Sequence, residues 1–149
     1  MSSPITLQAV ENEAQTLACF AVMCELRPHL HDAQAFVEQI GRQAVQGYRL
    51  LAAWRGDEVV ALAGYRLQEN TLYGRFVYLD DLVTRASEQR SGVGQQLIEA
   101  VRGEALRAGC AYLVLDTGLG NALAQRFYFR NGLLARGMHF AQSLQEIGA

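Results

Sequence analysis

Proline is scarce in this sequence: Pro4 and Pro28 are the two it has, and neither lies in a Gly/Ser-rich stretch. With no linker and no internal repeat, one continuous domain over residues 1–149 is expected, a length that can bury roughly two-thirds of its unfolded surface. Cysteine is as sparse. Cys19, Cys24 and Cys110 are odd in number and lack C-x-x-C spacing, which excludes a disulfide framework or a thiolate zinc site and leaves reduced, buried thiols. His29, His31 and His139 have no third ligand at a recognisable spacing, so no metal is expected. Nowhere do about 18 apolar residues run together, and Met1-Ser2-Ser3-Pro4 has neither the charged start nor the apolar stretch of a signal peptide. A soluble, cytoplasmic protein without a membrane partner is the expectation. Thirteen basic and 15 acidic residues are spread without a block of either sign, so a nucleic-acid partner has no electrostatic footprint.

What is present is the pattern of a globular α/β chain, half apolar and 19% charged. Ile5, Leu7 and Ala9 alternate as a short strand. Leu17, Phe20, Ala21 and Cys24 are spaced as on a helix from Glu13 to Leu26, which must end before Pro28. Asp32 is placed to cap a second helix carrying Phe36, Val37 and Ile40, with Gly47 as its stop. Tyr48 to Trp54 and Glu58 to Leu67 read as a hairpin across Arg55-Gly56-Asp57, and Phe76 to Thr84 as a fourth strand. Val93, Leu97, Ile98, Val101 and Ala105 share one face of a helix that stops at Gly109. Tyr112 to Leu115 is a buried strand, Asn121 to Asn131 a last helix, and Leu133 onward, with Met138 and Phe140, a final strand. The order β-α-α-β-β-β-α-β-α-β predicts a mixed, mostly antiparallel sheet flanked by helices.

Gln89-Arg90-Ser91-Gly92-Val93-Gly94 lies where the fourth strand hands over to a helix. Glycines there let backbone N–H groups approach a ligand closely, and the helix turns its positive end toward an anion, with Arg90 able to add a charged contact. The same pattern fits a tight turn with no ligand. It is not a Rossmann fingerprint, because Leu97 stands three residues past Gly94, and it lacks the Gly-Lys-[Ser/Thr] of a P-loop.

Q-x-x-G-x-G at this junction resembles motif A of the GNAT superfamily of N-acetyltransferases. Asn121-x-x-Ala124-x-x-Phe127-Tyr128, followed by Asn131-Gly132-Leu133, is similar to that family's downstream segment, and the resemblance spans about residues 78 to 133. Glu25-Leu26-Arg27-Pro28-His29-Leu30, with Tyr78-x-Asp80-Asp81 and Arg126-Phe127-Tyr128, looks like a bacterial subgroup labelled histone-acetyltransferase-like. Ala86 replaces a common proline, and Arg90-Ser91 replaces a common Gly-Lys or Gly-Arg.

The resemblance implies a GNAT-like fold and transfer of an acetyl group from acetyl-CoA to a primary amine by direct attack in a ternary complex. It assigns cofactor contacts to Leu82, Val83, Thr84, Gln89, Arg90, Ser91, Gly92, Val93, Gly94, Gln95 and Asn121. Main-chain N–H groups of Leu82 to Thr84, freed by a bulge, would polarise the acetyl carbonyl. Tyr128 matches the general-acid position; otherwise it is a core aromatic. Asn121 would hold the pantetheine arm or cap its helix. Asp116, Asp80 and Asp81 are the carboxylates nearest to the base role, each also readable as a solvated or capping group. By alternation Asp80 and Asp81 should face opposite ways, with Asp80 toward the amine, unless a bulge breaks the register. The acceptor is a small-molecule or peptide amine of unread identity, and the apolar final strand suits a homodimer. The rival reading is a non-catalytic acyl-CoA sensor or interaction module on the same fold.

Overall fold

The structure is a computed structural model and describes residues 3–145. The chain forms two compact units, Met1–Leu115 and Asp116–Ala149. The first holds β1 (Ile5–Ala9), α1 (Glu13–Leu26), α2 (Ala33–Val45), β2 (Tyr48–Arg55), β3 (Glu58–Asn70), β4 (Gly74–Thr84), a 3-10 turn (Ala86–Glu88), α3 (Val93–Arg107) and β5 (Tyr112–Leu115). The second holds α4 (Ala122–Arg130).

Local chemistry sets the element ends. Asn12 and Asp32 accept backbone N–H groups from the first turns of α1 and α2, and Pro28 forces α1 to stop at Arg27. α3 ends in a left-handed Gly109 (φ 74°), with the N–H groups of Gly109 and Cys110 folding back on the carbonyls of Leu106 and Ala105.

The sheet order is β1-β2-β3-β4-β5, antiparallel throughout except for the parallel β4·β5 pair. The expected mixed sheet is therefore present, and its strands alternate between two covered faces. On one, Cys19, Val22 and Met23 of α1 and Phe36 and Val37 of α2 pack with Tyr48, Leu50, Ala52 and Leu62. On the other, α3 buries Val93, Leu97, Ile98 and Val101, none more than 1% exposed, over β3 and β4. Ala53, Ala61 and Ala63, opposite in parity to Ala52 and Leu62, are the small side chains that let this helix approach. Each of Val93, Leu97, Ile98 and Val101 contributes about 1.5–3 kcal/mol through burial.

The strand expected from Leu133 is not formed. Residues 133–143 carry neither helix nor strand, and Leu134, Met138 and Phe140 are exposed. A strand exists through its ladder, and among the described residues no strand pairs with this segment, whatever its apolar content.

Candidate active site

The site begins where the sheet opens. The β4·β5 ladder runs from Phe76↔Tyr112 to Leu79↔Leu115 and stops there. β4 continues through Thr84 on its β3 side alone. The Arg85 N–H bonds Val60 O at 2.9 Å, and strand alternation from that bond aims the Val83 N–H at β3 and the Leu82 and Thr84 N–H groups away from it. Two donors that face away from β3, beyond the end of the β4·β5 ladder, thus lie along the opening.

Just before them β4 is bulged. Asp81 pairs with Gly64 and Leu79 with Tyr65, so Asp80 is an extra residue with no partner in β3. The bulge breaks parity, and the expected split of the aspartates does not occur: Asp80 and Asp81 line one cavity of about 380 Å³, together with Arg27, His29, Phe36, Tyr48, Arg66 and Tyr78.

Neither carboxylate is an open anionic site. Both oxygens of Asp80 accept from Arg66 Nε at 3.2 Å, and burial, opposed by Arg66, pushes its carboxyl up from the ordinary value. Asp81 Oδ2 accepts from the Tyr48 hydroxyl at 2.7 Å, and its Oδ1 accepts from Arg27 Nε and Nη2 at 3.1 and 2.9 Å. Burial pushes the Tyr48 phenol far up, which keeps it a donor. Roles for Tyr48, Gly64, Arg27 and Arg66 were not foreseen from sequence; a glycine inside a strand pattern was the available signal, marking the close approach that Tyr48 makes over Gly64.

Below the open strand end, the chain turns into α3. Ser91 N and Oγ both bond Glu88 O, at 3.2 and 2.6 Å, and the Glu88 carboxylate is held by Arg55 through two bonds of 2.9 Å. Arg90 (φ 72°) and Gly92 (φ 85°) are both left-handed. Gly92 is the N-cap of α3 and no side chain caps the helix, whereas Asn12, Asp32 and Asn121 cap α1, α2 and α4. The N–H groups of Val93, Gly94 and Gln95 have no partner within the helix and face its positive end outward. That donor set fits a pyrophosphate. The Gln95 side chain donates instead to Glu99 at 3.3 Å, so its backbone is what faces the helix end.

In the second unit, Asn121 Oδ1 caps α4 by accepting from Ala124 N at 3.1 Å. Tyr128 packs edge-on against Phe127, with ring centroids 5.6 Å apart, and burial raises its phenol above the ordinary value. Asp116 Oδ2 lies 3.4 Å from His139 Nδ1. Among the described residues no group of three or more His, Cys, Asp or Glu is arranged to hold a metal ion, and no helix is long and apolar enough to cross a membrane.

The fold is that of known acetyltransferases. It superposes with a TM-score of 0.83 on the aminoglycoside N-acetyltransferase AAC(6')-Iy in complex with CoA, at 18% identity and covering 97% of each chain. A transcriptional regulator from Bacillus halodurans C-125 gives 0.84 at 17% identity, covering 95% of this chain and all of that one. In sequence the chain is 27% identical over 126 residues to the uncharacterized N-acetyltransferase YhdJ of Bacillus subtilis (strain 168), covering 83% of this chain and 87% of that protein. Residues 24–133 match the acetyltransferase (GNAT) family model. The chain belongs to this family and is an acetyl-CoA-dependent N-acetyltransferase.

Proposed function

We propose that the protein moves an acetyl group from acetyl-CoA directly to a primary amine held in the Asp80/Asp81 cavity, within a ternary complex and a single domain over residues 1–149. The observation that carries this reading is the opening of the sheet at Leu79 and Leu115, beside which the N–H groups of Leu82 and Thr84 turn away from β3. Val83 serves as the strand between them.

In this scheme the uncapped start of α3 holds the pyrophosphate through Gly92, Val93, Gly94 and Gln95, with Gln89, Arg90 and Ser91 shaping the approach. The Leu82 N–H meets the acetyl oxygen and stabilises the charge that develops there. An ammonium has a pKa near about 10, so the amine must lose a proton before it attacks. Asp80, in the cavity and with a raised pKa, is placed first for that step; Asp116 is the second carboxylate assigned to it. Tyr128, protonated at neutral pH, returns a proton to the departing thiolate. Asn121, its Oδ1 committed to the α4 cap, has its Nδ2 donors left for the pantetheine arm.

The acceptor is a small-molecule or peptide amine. Because Arg27 and Arg66 balance the two aspartates, the cavity selects by shape and hydrogen bonding more than by bulk charge. A cytoplasmic location and a homodimer, the latter supported by exposed Leu134, Met138 and Phe140, belong to the same proposal.

A panel of polyamines, aminoglycosides, amino acids and N-terminal peptides, incubated with acetyl-CoA and read by mass spectrometry, tests this. All 13 basic residues are arginine, so acetylation of the enzyme's own lysines cannot obscure the result. A product 42 mass units heavier on one amine class supports the proposal; acetyl-CoA binding with no transfer to any amine makes the protein a sensor.

A further inference from the structure

A β-bulge bends its strand and leaves its extra residue outside the ladder, so the bend needs something else to hold it. In β4 the extra residue is Asp80, and its carbonyl oxygen accepts from Arg27 Nη2 at 2.9 Å. The same guanidinium donates to Asp81 Oδ1, and the Tyr48 hydroxyl takes Asp81 Oδ2. One side chain therefore grips the backbone of one bulge residue and the carboxylate of the next.

The sequence delivers Arg27 to this position. The residue before a proline avoids the helical region, and Arg27, ahead of Pro28, leaves α1 at φ −120° and ψ 76° while its N–H still closes on Met23 O at 2.8 Å. From that helix end the side chain spans to β4.

We propose that Arg27 is a positioning residue for acetyl transfer: its clasp on Asp80 and Asp81 fixes the bend of β4, and with it the aim of the Leu82 N–H at the acetyl carbonyl. This rests on the reading of Leu82 given above. The planar guanidinium serves both acceptors together, which the point charge of a lysine does not reproduce. The Arg27 side chain is 43% exposed and that of Asp81 11%; the open guanidinium limits what the pair adds to global stability, and without Arg27 the covered Asp81 carboxylate keeps the Tyr48 hydroxyl as a donor. The loss is therefore felt more in the site than in the fold.

The test needs no acceptor. Acetyl-CoA carrying ¹³C at the thioester carbonyl is bound to the protein and its carbonyl stretch is read by isotope-edited infrared spectroscopy. Polarisation by a backbone N–H lowers that frequency, so the wild type shows a downshift relative to free acetyl-CoA. Arg27→Gln loses about half or more of the downshift, with its melting temperature within a few degrees of wild type and its affinity for CoA, which has no acetyl group, within about twofold. Arg27→Lys falls between, and Tyr48→Phe moves the band in the same direction. A full downshift in Arg27→Gln overturns the clasp. So does an unfolded Arg27→Gln, or one that loses CoA affinity as well, because Arg27 is then structural. Absence of any downshift in the wild type overturns the Leu82 reading itself and the clasp with it, which separates the two failures.

Discussion

Gly64 of β3 lies directly beneath the Tyr48 ring, so closely that a Cβ there would overlap the phenol oxygen and its ring carbon. The close approach brings the Tyr48 hydroxyl onto Asp81, the residue paired with Gly64 across the β3·β4 ladder. Gly64→Ala is expected to cost about 1–3 kcal/mol, the usual penalty of overpacking, because a buried ring with packed neighbours cannot retreat. Chemical denaturation measures this, and a neutral substitution would mean that Tyr48 has room to move.

Tyr128→Phe removes a single hydroxyl. With burial raising the phenol, the native group is protonated at neutral pH and able to donate. Steady-state kinetics on the true acceptor should show kcat lowered by about ten- to a thousand-fold, with the KM for acetyl-CoA nearly unchanged. Wild-type turnover would return Tyr128 to a packing role.

The pH dependence follows from Asp80. Its carboxyl is raised by burial above the ordinary value of 3.8, and a base works only when ionised. Log kcat/KM should therefore rise with pH through a one-proton limb displaced upward from the ordinary aspartate value and then level off. Asp80→Asn abolishes that limb and lowers the plateau by about a hundredfold. An unchanged limb in the variant assigns the titration elsewhere, with Asp116→Asn the next variant to test.

Arg55 and Glu88 pin the turn that leads into the cofactor loop. Arg55 holds the Glu88 carboxyl below its ordinary value of 4.5, so the stabilisation is present above that value and is lost as pH falls through the depressed folded one. Glu88→Gln should flatten this part of the acid-unfolding profile, read by circular dichroism: the variant is slightly less stable than wild type near neutral pH and the two converge as the pH falls. An acid profile identical to wild type would show that the pair does not tie the turn to the sheet.

The elements from Glu13–Leu26 to Tyr112–Leu115 are legible because they rest on local signals: an Asx cap, a proline stop, a period of 3.6 or 2. The junction at Gln89–Gly94 is legible for the same reason. The shared face of Asp80 and Asp81 is not, because it depends on Asp81 pairing with Gly64 while Asp80 pairs with nothing, and an alternating string carries no mark of the extra residue. Arg27 reaches partners more than fifty positions away, a distance no motif encodes. The strand read into Leu133 onward had apolar residues but no ladder partner, and composition alone does not supply one.

The central claim is that acetyl-CoA is held by the bare backbone at the start of α3, and Gly92→Asp tests it most directly. Aspartate tolerates a left-handed backbone better than most side chains, and its charge suits the positive end of a helix, so the fold should keep its melting temperature within a few degrees. The same carboxylate occupies and repels at the N–H groups that a pyrophosphate needs. Isothermal titration calorimetry with acetyl-CoA should give one site per chain in the wild type and at least about a hundredfold weaker binding in Gly92→Asp. Equal affinity in the two proteins would contradict the account.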